Sequence, residues 1–206
     1  MRIGIIGAGA MGRAVARRSA LAGAVALLAD RSSGKARKAA AEASEGASGR
    51  VIATTVAAAL KPDVVVLALD WTDVVRVARS RAALLERKVV VDMSVPGCSG
   101  TVPNGLEQLA DIAPGVRWVK AFTTTNADAL FRGEIDGQPL DVFVASDDDG
   151  AKVAVVELVD RSGLRAFDAG GVGGARALEE MARLGQAVHD RLLIAGSWGF
   201  KFLPGW

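Results

Sequence analysis

Tyrosine is absent from this 206-residue chain, and cysteine and histidine occur once each, as Cys98 and His189. A single cysteine excludes an internal disulfide and a cysteine-based zinc cluster. A single histidine argues against a multi-histidine metal site, so no metal is expected. Aromatic residues are scarce at 5 %, and the formal net charge is only +2. That excess of base is too small to point to nucleic acid, although it suits a small anionic ligand. No apolar run reaches the roughly 20 residues of a membrane-spanning helix. Arg2 is followed at once by a short β-run and a turn, where a secretory leader would carry an apolar stretch and a cleavage site. These absences lead to the expectation of a soluble, cytoplasmic protein that binds neither nucleic acid nor membrane.

Half of the residues are hydrophobic and 24 are glycine, and their order follows an alternation of strand and helix. Arg2–Ile6, Val25–Ala29, Val51–Ala53, Asp63–Leu69, Lys88–Asp92, Arg117–Ala121 and Asp141–Ala145 read as strands. The runs DVVVLAL and KVVVD are continuously apolar up to their ends, as in a parallel sheet covered on both faces. Helices are expected at Ala10–Ala22, Ser33–Ser44, Thr55–Leu60, Thr72–Glu86, Gly105–Ile112, Ala151–Arg161 and from about Ala175 to Ala195. Leu164–Phe167 is expected as a last edge strand. This is an α/β pattern: a Rossmann-type, doubly wound, mostly parallel sheet with a helical C-terminal extension. It is expected as a single domain over residues 1–206, with a dinucleotide-binding core over 1–145 and the extension over 146–206.

The segment IGIIGAGAMG places Gly7, Gly9 and Gly12 in a Gly-x-Gly-x-x-Gly pattern between the first strand and the first helix. In that context Gly7 permits the tight turn, Gly9 lets the backbone approach a pyrophosphate, and Gly12 lets helix and strand pack closely. The helix start then offers N–H groups and a positive dipole end to phosphate. The end of the second strand reads Ala29-Asp30-Arg31-Ser32-Ser33-Gly34-Lys35. An acid here normally accepts from the ribose hydroxyls of NAD, whereas a neighbouring arginine accommodates the 2′-phosphate of NADP. Asp30 alone points to NAD. Arg31, Ser32, Ser33 and Lys35 together form a phosphate cradle and favour NADP, the other reading being that Arg31 and Lys35 solvate a surface helix.

Several separate stretches resemble one family, the F420-dependent NADP oxidoreductases, which pass hydride between NADP and the deazaflavin F420. They are MRIGIIGAGAMG, DRSSGK, VVLALDW, ERKVVVDMSVPGCSG, VKAFTTTNADALF, DVFVASDDDGAK, GLRAFDAGGVGGARALE and the GFKFL tail. The resemblance implies that Ala8, Gly9, Ala10 and Met11 line the pyrophosphate, and that Arg31 and Lys35 hold the 2′-phosphate. It implies that Trp71, Val95 and Ala127 flank the cofactor near adenine or nicotinamide, with Leu69 and Pro96 counted in the same binding set. It further implies coenzyme F420 as second substrate and a homodimer built through the C-terminal helices. The chain departs from the family pattern at Asp30, at Asp70, in the loop Thr123-Thr124-Thr125-Asn126 and in the turn Gly171-Val172-Gly173-Gly174.

Hydride transfer between stacked rings asks little of side chains, because the redox work belongs to the cofactors. That suits a chain with one histidine and no Tyr-x-x-x-Lys pair. No catalytic residue is assigned. Thr123, Thr125 and Asn126 are the candidates for orienting a ring carbonyl or carboxamide, and the same run reads equally as a polar loop with an asparagine helix cap. His189 is expected on a helix surface or interface rather than as a general acid. Cys98 is expected to fill a loop, since no base adjoins it.

Leu178, Met181, Leu184, Gly185, Val188, Leu192 and Ala195 share helical spacing, as for core or dimer packing. Trp198, Phe200, Phe202 and Trp206 crowd the tail and are expected to be buried, across a dimer or over the cleft. Arg76, Arg79, Arg81, Arg87, Lys88 and Arg132 are available to a basic groove but are expected to be solvated. The leading reading is a hydride-transferring enzyme between NADP(H) and F420. Behind it stand an NADPH-dependent reductase of a small imine, ketone or enone, and a non-catalytic NADP sensor.

Overall fold

The computed structural model describes residues 1–97, 104–193 and 196–205. The chain begins β1 (Arg2–Ile6), α1 (Ala10–Leu21), β2 (Val25–Ala29), α2 (Ser33–Ser44) and β3 (Arg50–Thr54). It continues α3 (Val56–Ala59), β4 (Val64–Leu67), α4 (Trp71–Leu85), β5 (Val89–Asp92), α5 (Gly105–Ile112), β6 (Arg117–Lys120) and α6 (Ala127–Arg132). A hairpin of β7 (Glu134–Ile135) and β8 (Gln138–Pro139) follows, then β9 (Asp141–Val144), α7 (Asp149–Arg161), β10 (Arg165–Asp168) and α8 (Val172–Leu192).

Six strands form one parallel sheet in the order β3-β2-β1-β4-β5-β6. This is the doubly wound Rossmann order, with its crevice where the direction of winding reverses between β1 and β4. The sheet is apolar on both faces because both are covered. Ile3, Ile5, Val66 and Val91 pack on the side of α1, α2 and α7. Ile6, Val65, Leu67 and Val90 pack on the side of α4, α5 and α8. Among the described residues no helix is long and apolar enough to cross a membrane, and no group of side chains is arranged to hold a metal ion.

Three features differ from the sequence reading. The strand near Leu164–Phe167 is not an edge of the main sheet: β9 and β10 form a separate parallel pair. An antiparallel bridge between Lys120 and Ala145 joins that pair to β6, so the pair runs against the main sheet. Second, α6 and the β7–β8 hairpin fill a stretch for which the sequence offered only an asparagine helix cap at Asn126 and no named element. Six residues are too few to show a helical period, but the Asp136-Gly137 turn, with φ of 50° and 75°, is a recognised hairpin signal. Third, α8 starts at Val172 and ends at Leu192, where Leu193 turns left-handed at φ 49°; Ala195 lies outside the described residues.

Candidate active site

The glycine loop is shaped by close approach. Gly7 has φ 105° and donates its N–H to Ala29 O at 2.8 Å. A Cβ on Gly12 would lie 1.8 Å from Gly7 O, so α1 can sit this near the loop only without a side chain there. Gly9 differs: the nearest atom to its added Cβ is Lys35 Nζ at 4.0 Å. Space therefore remains open over Gly9, where α1 begins with no side-chain cap on its N–H groups. Ala8 is buried beneath the loop, while Ala10 is exposed and Met11 half-buried.

The β2 corner is fastened to this loop. Asp30 Oδ2 accepts from Ala8 N at 2.8 Å, and Oδ1 accepts from Ser32 N at 2.9 Å. Burial pushes the Asp30 carboxyl up, but the Ser32 and Ala8 N–H groups and the Lys35 and Arg31 charges outweigh it and hold it below the usual carboxylate value. Ser32 Oγ caps α2 by accepting from Lys35 N. Lys35 Nζ stands 4.0 Å from Asp30 Oδ2, between that carboxylate and Gly9. The Arg31 side chain is 89 % exposed, with its guanidinium 3.8 Å from Asp73 on α4.

Beyond the loop lies a cavity of about 630 Å³, within the range of small-molecule sites. Met11 of α1, Met93 and Val95 after β5, Phe122, Thr123, Thr125, Asn126 and Ala127 after β6, several residues of α8 and Trp198 of the tail line it. Of the residues singled out in the sequence, the cavity brings together Met11, Val95, Thr123, Thr125, Asn126 and Ala127. Leu69, Trp71 and Pro96 stand apart from its lining. Leu69 and Trp71 pack against the core on the α4 face, and Trp71 and Pro96 meet at the start of α5, leaving no room for a Cβ on Gly105.

The threonine run separates into different roles. Thr125 Oγ1 donates to Trp198 O at 2.9 Å. Asn126 Oδ1 caps α6 by accepting from Ala129 N at 3.0 Å, and Asn126 Nδ2 donates to Gly196 O. Asn126 N also donates to Trp198 O, and Phe200 N to Thr124 O. The asparagine-cap reading therefore describes Asn126. Thr123 alone of the three orientation candidates has an unpartnered side chain: the residue is 6 % exposed, and its hydroxyl has no hydrogen-bond partner among the described residues.

The tail forms the opposite wall. Trp198 packs so closely on α8 that a Cβ on Gly185 would lie 2.3 Å from its ring. His189 Nε2 lies 3.1 Å from Gly196 O and helps to seat the tail, and it is not part of the cavity lining. Burial of the tail aromatics is only partial. Trp198 and Phe200 are half-buried, but Phe202 is 51 % exposed. Its backbone, not its ring, is the fixed part: Phe202 N donates to Asp141 Oδ2 and Arg165 donates to Phe202 O. The ring meets Phe167 edge-on, leaving its other side in solvent. Cys98 and Trp206 lie outside the described residues.

On the same elements that carry the cavity lining is a buried charged cluster that the sequence reading missed. Lys120 and Asp92 are 0 % exposed and Glu179 2 %. Lys120 Nζ donates to Asp92 Oδ2 and to Ser94 O, and pairs with Glu179 Oε1 at 2.9 Å. Asp92 Oδ1 accepts from Ser94 N and Oγ, and Glu179 accepts from Gly105 N. One ammonium thereby ties the ends of β5 and β6 to α8 and the start of α5. The available signal was a charge closing each of two apolar strands, and a glutamate within the apolar spacing of Ala175, Leu178 and Ala182.

Comparison with known proteins bears on the family and the fold. The sequence profile of the family described as NADP oxidoreductase, coenzyme F420-dependent, matches residues 2–96. The chain is 31 % identical to the F420-dependent NADP reductase of Methanothermobacter thermautotrophicus over 217 aligned positions, spanning 95 % of this chain and 93 % of that protein. A crystal structure from Arthrobacter sp. FB24, provisionally named an F420-dependent NADP-reductase, superposes with a TM-score of 0.79 at 22 % identity, covering 99 % of this chain and 100 % of that one. An imine reductase from Bacillus cereus BAG3X2 gives 0.68 at 20 % identity, covering 93 % of this chain and 62 % of that one. At these identities the two structures speak to fold alone.

Proposed function

We propose, from the premise that this chain belongs to the family of coenzyme F420-dependent NADP oxidoreductases, that it transfers a hydride between NADP(H) and coenzyme F420. Membership makes the chain an NADP-dependent oxidoreductase; F420 as the second substrate is the finer reading. The nicotinamide supplies a hydride, and the deazaflavin takes it with one further proton from solvent. The chain's own task is to hold, orient and exclude water.

The residues present fit that task. The open side of Gly9, the tight Gly7 and Gly12, and the uncapped start of α1 take the pyrophosphate. Arg31, loosely paired and exposed, takes the 2′-phosphate beside Ser32. Lys35 stands nearer Gly9 and serves the pyrophosphate side. Met11, Val95 and Ala127 bound the cavity where the rings meet, and Trp198 closes it.

The unpartnered Thr123 hydroxyl carries the reading. A buried hydroxyl without a partner is costly, and a ring carbonyl in the cavity supplies the missing acceptor. A ketone or imine would satisfy Thr123 equally, and the imine reductase fold keeps that second reading in play. The sensor reading needs a closed or filled cleft, against which the cavity argues. Leu184, Val188 and Leu192 form an exposed apolar stripe on α8, which a second copy covers in a homodimer.

The test is to mix the protein with NADPH and oxidised F420 and follow loss of the deazaflavin's visible absorbance, with NADH in parallel. Rapid bleaching with NADPH is expected. Tight NADPH binding without bleaching would move the assignment to a small imine, ketone or enone.

A further inference from the structure

We propose that Asp30 is a brace for the phosphate loop and not the acceptor of the adenine-ribose hydroxyls, so that cofactor choice rests on Arg31. This rests on the dinucleotide reading of the site.

An acid at the end of the second strand ordinarily reads the free ribose diol and disfavours a 2′-phosphate. Asp30 occupies that position in sequence, but its carboxylate is turned onto the protein. One oxygen takes the Ala8 N–H inside the glycine loop, and the other takes the Ser32 N–H at the entry to α2. The carboxylate thereby stitches the β1–α1 loop to the β2–α2 corner, two segments that must keep a fixed spacing if one dinucleotide is to bridge them.

The surroundings also remove the usual objection to an acid beside a phosphate. Lys35 lies 4.0 Å from the carboxylate. Arg31 extends outward from the next position, with Asp73 and its partner Arg76 across from it. Cations outnumber carboxylates in this corner, so an incoming phosphate dianion meets a basic rim even with Asp30 ionised.

Asp30→Asn and Asp30→Glu separate the two roles, with binding of NADPH and NADH read by nicotinamide fluorescence and folding by thermal melting. A ribose acceptor tolerates glutamate in place of aspartate. A brace does not, because one added methylene moves the carboxylate off both N–H groups. Each variant is expected to weaken NADPH and NADH alike, by about tenfold, with the preference between them kept and the melting temperature lowered by only a few degrees in a protein that still folds.

A loss confined to NADH, with NADPH unchanged or tightened, would overturn the brace. So would an Asp30→Glu variant with wild-type affinities. If the wild-type protein bound neither cofactor, the dinucleotide reading itself would fail.

Discussion

The phosphate loop and the apolar cavity share the carboxyl edge of one sheet, yet they are assembled over very different distances along the chain. The loop is six consecutive residues, fastened by Asp30 to Ala8 only 22 positions away. The cavity draws on α1, on the segments after β5 and β6, on α8 and on the tail. Its wall is secured by the Thr125 hydroxyl on Trp198 O, 73 positions away, and the elements that carry its lining are tied by Lys120, at the end of β6, to Asp92 of β5 and Glu179 of α8. On the proposed function, binding of the dinucleotide phosphates is thus a local property of the chain, whereas the second-substrate site is a property of the whole fold. Substitutions on the two sides should fail in different ways.

The largest effect is expected from Lys120→Met, which leaves Asp92 and Glu179 buried without their cation. Removing one partner of a buried ion pair costs about 3–5 kcal/mol, or roughly 10 °C of melting temperature for a chain of this size. Thermal melting checks it. A loss below about 1 kcal/mol would show that the junction of β5, β6 and α8 does not depend on this cluster.

Gly9→Val sharpens the comparison from the other side. Among the described residues only the flexible end of Lys35 comes within 4.0 Å of the added Cβ, so NADPH affinity should fall by about two orders of magnitude while melting stays unchanged. Unchanged affinity in the folded variant would reduce the loop to a turn. Next in size is Arg31→Ala, expected to weaken NADPH by roughly tenfold or more and NADH hardly at all. Equal losses would contradict the assignment of the 2′-phosphate.

The smallest effects divide two neighbouring threonines. Thr123→Val removes a buried hydroxyl without a partner, so it should raise stability slightly while lowering kcat/KM for the deazaflavin by roughly tenfold. Thr125→Val should cost about 1 kcal/mol of stability by freeing the tail. Reversed outcomes would exchange their roles.

The loop was legible in the sequence because glycine spacing, strand and helix start all lie within one window. The same holds for β4 and β5, whose valine runs need no partner to be recognised. The separate β9–β10 pair was not legible, since the partner of a strand is a tertiary fact. Thr123 and Thr125 are identical letters two positions apart, and only the tail's return separates a hydroxyl spent on structure from one with no partner among the described residues. Lys120 was hidden by the ordinary rule that a lysine at a strand end faces water. Here two distant carboxylates pair with it and make its burial tolerable.

The measurement that bears most directly on the division between a local phosphate site and a fold-built hydride site follows the label itself. NADPH carrying deuterium at both C4 positions is oxidised by the protein in the presence of oxidised F420, and the reduced deazaflavin is analysed by mass spectrometry. Direct transfer within the cavity places one deuterium on the deazaflavin carbon ring in stoichiometry with the NADPH consumed. Reduced F420 without the label, or NADPH that binds but is never oxidised, would contradict hydride transfer between these two partners.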